Sequence, residues 1–182
     1  MKIRVGVSNR HIHLCKYDAD ILFGKDYAFK KRNDLSQIGE YACEETVIIS
    51  TDNYEFPHVR VMGPIRDYTQ VEVSQDDANL LGIDPPVRDS GDLEDSESVW
   101  ITGPIGKIYK KNCCIRANRH IHCNKTDNIG YNNSDIVTVK VNDSVMDNVH
   151  IKMKDSFVLE MHIDKSDAAK YGLENGDYIE LE

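Results

Sequence analysis

The sequence predicts a mainly β protein of small barrels or sandwiches, arranged as two related half-structures capped by short α-helices. Three observations predict it. Apolar residues fall in short β-branched runs rather than long helical stripes. Helical signals are confined to segments of about two turns, too short to stand alone. Asn9-Arg-His-Ile-His13 recurs as Asn118-Arg-His-Ile-His122, a spacing too long for a solenoid repeat.

The strand-like runs are Ile3 to Val7, Thr46 to Ile49, Val59 to Met62, Val71 to Val73 and Val99 to Ile101, followed by Ile136 to Val141, Val149 to Met153, Val158 to Ile163 and Tyr178 to Leu181. Each is rich in the residues that pack well on a pleated surface. Ser74 to Gly82 reads as a helix opened by a serine cap and stopped by glycine. Asp164 to Gly172 has the same layout, and Asp18 to Phe23 before Gly24 suggests a third. Glycine and proline punctuate the loops, and Gly63-Pro64-Ile65 returns weakly as Gly103-Pro104-Ile105. Arg88 to Ser98 reads as an acidic, exposed loop.

The 182 residues suffice for one ordinary domain or two small ones. Hydrophobic residues make up 40%, a globular composition that excludes wholesale disorder. The net charge of -9, without any basic cluster, excludes nucleic acid as a partner, because a phosphate backbone would be repelled. Five cysteines, two of them adjacent and none in a C-x-x-C, point to a reducing compartment rather than a disulfide framework. The N-terminus lacks a signal-peptide apolar region, and no run approaches the ~18 apolar residues of a membrane span. A cytoplasmic protein with no membrane partner is expected.

Five of the seven histidines fall in three motifs: His11 and His13, His120 and His122, and His162 in Glu-Met-His-Ile-Asp. In a strand, residues two apart project from the same face, so each His-Ile-His presents two imidazoles side by side. Ile12 and Ile121 then point the other way, into a core. One such strand is compatible with a surface pair or a hydrogen-bonded core pair. Two identical copies and a third histidine favour a metal site.

Glu72 alternates with Val71 and Val73, so it is either a solvent-facing strand residue or the carboxylate completing a two-histidine set. Arg66 follows a tight turn and is either a surface ion-pair partner or a fork for phosphate or carboxylate. Cys15, two residues beyond His13 and on the same face if the strand continues, is either a further ligand or, the favoured reading, a small apolar filler. Arg10 and Arg119 point with the isoleucines and support the barrels, and His58 and His150 read as structural.

Together these segments resemble the PduL-type phosphate propanoyltransferases, the phosphotransacylases associated with bacterial metabolosomes. The resemblance rests on Val5 to Leu14, Glu45-Thr-Val47, Val59 to Arg66, Gln70 to Ser74, Pro86 to Asp92, Arg119 to His122 and Phe157 to Asp164. It implies exchange of a short acyl group, propanoyl or acetyl, between CoA and phosphate. It also implies two β-barrels capped by short helices, with a dinuclear zinc site between them, hence two Zn2+ per chain. His11, His13 and Glu72 would hold one ion, and His120, His122 and His162 the other. Arg66 would bind phosphate, and Ser90 and Ala117 would contact CoA. The implied chain division is interleaved: residues 1–9 plus 118–182 in one barrel and 10–117 in the other, with a small insertion near 24–44. A homo-oligomer is expected from the resemblance. The first strand begins near Ile3, so no microcompartment-targeting extension is expected.

The chain departs from the family pattern at Thr51 to Tyr54 and at Cys123 to Gly130, segments that bear on CoA binding. Two other functions fit a His-x-His strand. A cupin-like mononuclear metal oxygenase or hydrolase would need one triad only, and Asp18 stands where such a barrel would carry glutamate. A non-catalytic metal-binding module would not need Arg66 and Glu72 beside five histidines.

Overall fold

The computed structural model describes all 182 residues. In chain order, β1 (Lys2–Ser8) and β2 (His11–Cys15) lead into α1 (Lys16–Phe23). Then come β3 (Lys31–Asp34), β4 (Tyr41–Ser50), β5 (Glu55–Arg66), β6 (Gln70–Glu72) and α2 (Gln75–Leu81). β7 (Val87–Arg88), β8 (Glu97–Thr102) and β9 (Lys107–Ala117) follow, and then β10 (His120–Cys123) and a 3-10 turn at Lys125–Asp127. β11 (Ile136–Val141), β12 (Ser144–Met153), β13 (Glu160–Asp164), α3 (Lys165–Tyr171) and β14 (Tyr178–Leu181) complete the chain. The protein is mainly β, as the sequence predicts.

These elements form two compact units. The first comprises Met1–Asn9, Ser36–Ile38 and Asn118–Glu182; the second comprises Arg10–Leu35 and Gly39–Ala117. Ser36–Ile38 corrects the sequence expectation, which kept it with the second unit. In the first unit, β1-β13-β10-β12-β11-β14 close into a barrel. In the second, β4-β5-β2-β6-β9 run side by side and β8 joins β9 back to β4, closing a second ring flanked by β3 and β7. Closure leaves no long unpaired edge in either ring.

Going round each ring, the strand roles match. β2 and β10 carry the His-Ile-His motifs; β6 and β13 lie antiparallel to them, and β5 and β12 parallel. The ring-closing strands are exchanged between the repeats. β1 precedes β2 in the chain but hydrogen-bonds β13 and β14, whereas β9 precedes β10 but hydrogen-bonds β6 and β8. The His-Ile-His echo therefore marks a duplicated barrel with reciprocal first strands. The Gly-Pro-Ile echo does not, because both copies lie in the second unit. There Gly63 packs on the Tyr41 ring, while Gly103 and Gly106 lie against the α1 carbonyls of Leu22 and Ile21.

The local signals explain most elements. Ser74 and Asp77 form a reciprocal capping box at α2, and Gly82 ends that helix in the left-handed region. Asp164 caps α3, and Gly172 ends it in the same way. α1 lacks such a side-chain cap. The Thr51 to Tyr54 turn closes on the C-terminal end of α2, where the Thr51 hydroxyl donates to the Leu81 carbonyl at 2.6 Å.

Three strands escaped the sequence reading: β3, β7 and β9. β9 was hidden because Asn112 takes a positive φ of 49°, which interrupts the alternation of the strand. The strand expected at Val158 to Ile163 begins only at Glu160. Within Cys123 to Gly130, where the chain departs from the family pattern, Lys125–Asp127 form the 3-10 turn, capped by Asn124. Ser96 is buried, an exception within the acidic loop. No helix is long and apolar enough to cross a membrane.

Cores fill both rings: Ile12, Leu14, Val61, Val71 and Ile101 in the second, and Val5, Ile121, Val139, Ile151 and Met161 in the first. Ile12 and Ile121 are fully buried. Burial of each side chain contributes roughly 1.5–3 kcal/mol and anchors the histidines flanking it.

One ion pair braces the second ring. Asp18 of α1, only 2% exposed, meets Lys110 of β9 at 2.7 Å. Burial pushes the Asp18 carboxyl up, but hydrogen bonds from Lys110 and Thr69 outweigh it and hold the group below its usual 3.8. The carboxylate thus ionises at lower pH in the folded than in the unfolded chain. Its stabilisation is present at neutral pH and is lost as the pH falls through the folded-state value. Lys110→Met is expected to destabilise by about 2–3 kcal/mol, less than a fully buried pair because Lys110 is partly solvated. Urea unfolding at pH 7 measures this; an unchanged midpoint would mean the pair adds nothing net.

Candidate functional site

The period of two along β2 places His11 and His13 on one face of the second barrel, opposite Ile12. Their rings lie 5.1 Å apart and nearly perpendicular. Cross-strand register then brings in the third group, because His11 pairs with Glu72 of antiparallel β6. His11 Nε2 lies 3.4 Å from Glu72 Oε2, and the three side chains offer donor atoms within 4.8 Å of one another. Glu72 is therefore a site-facing group rather than a solvent-facing strand residue.

These residues fit a divalent ion. Two nitrogens and a carboxylate oxygen are a donor set that zinc and its neighbours accept. His13 is 5% exposed, and its Nδ1 is buried without a hydrogen-bond partner. Burial first, then the neighbouring His11 and Arg66, lower its pKa to about 2, so its imidazole stays neutral with a lone pair to offer.

Arg66 ends β5 as the register partner of Cys15. Its Nη1 donates to Tyr68 Oη at 3.1 Å and to Ser90 Oγ at 3.0 Å, and Nη2 donates to Glu40 Oε1 at 3.3 Å. Three of the five N–H donors are thus engaged, which aims the guanidinium and leaves two for an anion. Ser90 also accepts from Gln70 Nε2 at 2.8 Å. Ala117, the last residue of β9, pairs with Arg88 of β7, two residues before Ser90.

The first barrel repeats the pattern. His120 and His122 lie on one face of β10, and His120 pairs with His162 of antiparallel β13. The three rings sit 4.6–5.1 Å apart, with His120 and His162 stacked and His122 also stacked on Phe157. His120 Nδ1 lies 2.6 Å from the Asn118 carbonyl, an acceptor only, so that nitrogen carries the proton and Nε2 the lone pair. His122 Nδ1 is buried without a partner, and burial lowers the His122 pKa to about 3. Burial likewise lowers His120. His162 Nε2 faces Glu160 at 3.3 Å and Gln37 at 3.4 Å, so its donor atom is less gathered than Glu72 is in the other set.

In both repeats the third group stands two residues before the helix cap, Ser74 or Asp164. The arginine before each His-Ile-His motif grips the third residue of that helix: Arg10 meets Asp77 and Arg119 meets Asp167, each at 2.6 Å. Arg10 and Arg119 thus lock the ligand strand to the capped helix after its partner.

The sequence reading missed Gln70, Tyr68, Glu40, Glu160 and Gln37. For Gln70 and Glu160 a signal existed, since each lies two residues from the third group on the same strand face. Glu40 and Gln37 come from an irregular loop and left none. His150, read as structural, is the strand neighbour of His120 on parallel β12. Asp18, weighed for the single-triad alternative, is engaged with Lys110 instead.

Residues 4–174 match the family model described as phosphate propanoyltransferase. The chain belongs to that family. A phosphate propanoyltransferase of Thermotoga maritima is 43% identical over 183 residues, spanning 97% of this chain and 87% of the relative. One from Lachnoclostridium phytofermentans is 44% identical over 185 residues, spanning 98% and 86%. The Rhodopseudomonas palustris protein of the same name is 40% identical over 185 residues, spanning 99% and 82%. Membership supports phosphate acyltransferase activity in this phosphate propanoyltransferase homologue, with acyl-CoA and phosphate as fitting substrates.

Proposed function

We propose that the chain catalyses acyl-CoA plus phosphate to acyl phosphate plus CoA, reversibly, with propanoyl-CoA or acetyl-CoA as acyl donor. The observation that carries this reading is an arginine with two N–H donors to spare in the same barrel as a buried His11–His13–Glu72 set. We assign one zinc ion to His11, His13 and Glu72 and a second to His120, His122 and His162. The orphaned Nδ1 atoms of His13 and His122 support the two assignments. Zinc would supply Lewis acidity, offsetting negative charge as the thioester carbon–sulfur bond breaks.

The chain's own residues do the rest. Arg66 binds phosphate through its two remaining N–H donors and holds it in one orientation. Tyr68, Ser90 and Glu40 fix the guanidinium, so little reorganisation is needed when charge develops. A phosphate oxygen attacks the thioester carbonyl carbon; the new carbon–oxygen bond forms as the carbon–sulfur bond breaks. The electron pair leaves on sulfur, and the proton of hydrogen phosphate ends on the CoA thiol. No acyl-enzyme is needed, and Cys15, whose sulfur accepts from Thr69 at 3.4 Å, stays outside the chemistry. Ser90 and Ala117 are proposed as CoA contacts; the Arg88–Ala117 pairing, which brings Ala117 to the strand leading into Ser90, supports grouping them.

The test is release of free CoA from propanoyl-CoA and acetyl-CoA, with and without phosphate, before and after chelation. Release that requires phosphate, stops on chelation and returns with zinc is the expected result. Equal release without phosphate would indicate a thioesterase and overturn the proposal.

A further inference from the structure

We propose that Gln70 is a positioning residue that holds both Glu72 and the Ser90–Arg66 arm in their working orientations. The inference rests on the metal assignment above and deepens it. Gln70 is fully buried and is the cross-strand partner of His13. Its Nε2 donates to Glu72 Oε1 at 2.6 Å and to Ser90 Oγ at 2.8 Å, while Oε1 accepts the Gly91 N–H at 2.7 Å. A backbone N–H can only donate and a carboxylate can only accept, so the amide has one self-consistent orientation. One face of the amide therefore ties the carboxylate that serves the ion to the hydroxyl that serves the phosphate-binding arginine.

The first barrel also places a buried polar residue at this position. The equivalent position, cross-strand from His122, carries buried Glu160. Glu160 Oε2 lies 3.3 Å from His162 Nε2. In each barrel a buried polar residue two positions before the third group thus lies beside it, an amide against the carboxylate Glu72 and a carboxylate near the imidazole of His162. Gly6 on β1 pairs with His162, and a Cβ there would stand 3.1 Å from the Glu160 carboxyl carbon, so the neighbouring strand leaves room for that group.

Gln70→Glu keeps the shape but sets a second carboxylate against Glu72. Gln70→Met removes both donors without adding charge. Both variants, the zinc-loaded wild type and His11→Ala are to be compared for zinc content, rate of zinc release to a chromogenic chelator, and KM against kcat for phosphate and acyl-CoA. Zinc release from Gln70→Glu is expected to be roughly 10- to 100-fold faster, with KM for phosphate raised about tenfold and KM for acyl-CoA raised by less, through Ser90. Gln70→Met should move the same way by less. Ser90→Ala, which removes one partner at an exposed position, should speed release about threefold and decides the matter if neither Gln70 variant folds. Folded variants with wild-type zinc release and wild-type phosphate KM would overturn the positioning role while leaving the metal assignment intact. Equal zinc content in wild type and His11→Ala would instead overturn the metal assignment, and this inference with it.

Discussion

Arg66→Ala is expected to lower phosphate-dependent CoA release by two to three orders of magnitude while leaving the zinc content unchanged. That is the range for removing one preorganised donor aimed at developing charge. The guanidinium is held on one edge by Tyr68, Ser90 and Glu40, which leaves the other free to bind phosphate in fork geometry. Arg66→Lys should recover less than a tenth of the activity, because an ammonium keeps the charge but not the planar pair of donors. The loss should fall on KM for phosphate as well as on kcat. Wild-type kinetics in Arg66→Ala would remove the proposed phosphate role.

His13→Ala is expected to abolish zinc binding at the His11–Glu72 set and to lower transfer by at least about three orders of magnitude, or roughly 4 kcal/mol of transition-state stabilisation. The matching change in the other set, His122→Ala, should remove a different ion. The two variants together should therefore read out how many ions the chain holds. Elemental analysis beside the activity assay separates the outcomes. Full zinc content in His13→Ala would exclude that histidine as a ligand. Full activity with zinc lost would exclude the ion from the reaction. His13 is buried among the barrel residues, so its removal also leaves a small cavity, and thermal unfolding should show a modest loss alongside.

How much of this was legible beforehand varies element by element. The histidine pairs were, because a strand's period of two is a property of the backbone and needs no partner to be read. The capped helices were too, since Ser74, Asp164, Gly82 and Gly172 act within one or two turns of their own chain. Glu72 and Arg66 were not settled by local pattern. Each could equally have been a surface residue, and only the resemblance to a family tipped the balance.

By itself, the sequence determined the strand-rich fold class, the two His-Ile-His faces, the buried isoleucines behind them and the boundaries of the two capped helices. All are set by interactions among near neighbours. Tertiary structure alone decided which side chains meet across strands: Glu72 opposite His11, His162 opposite His120, and Gln70 bridging Glu72 to Ser90. It also decided that β1 and β9 close each other's rings, and that Ser36–Ile38 joins the first unit. Register and strand exchange are fixed by the burial of whole faces and by ring closure, summed over residues far apart in the chain. No short window carries them, and the partners that complete each ligand set are therefore readable only once the barrels have formed.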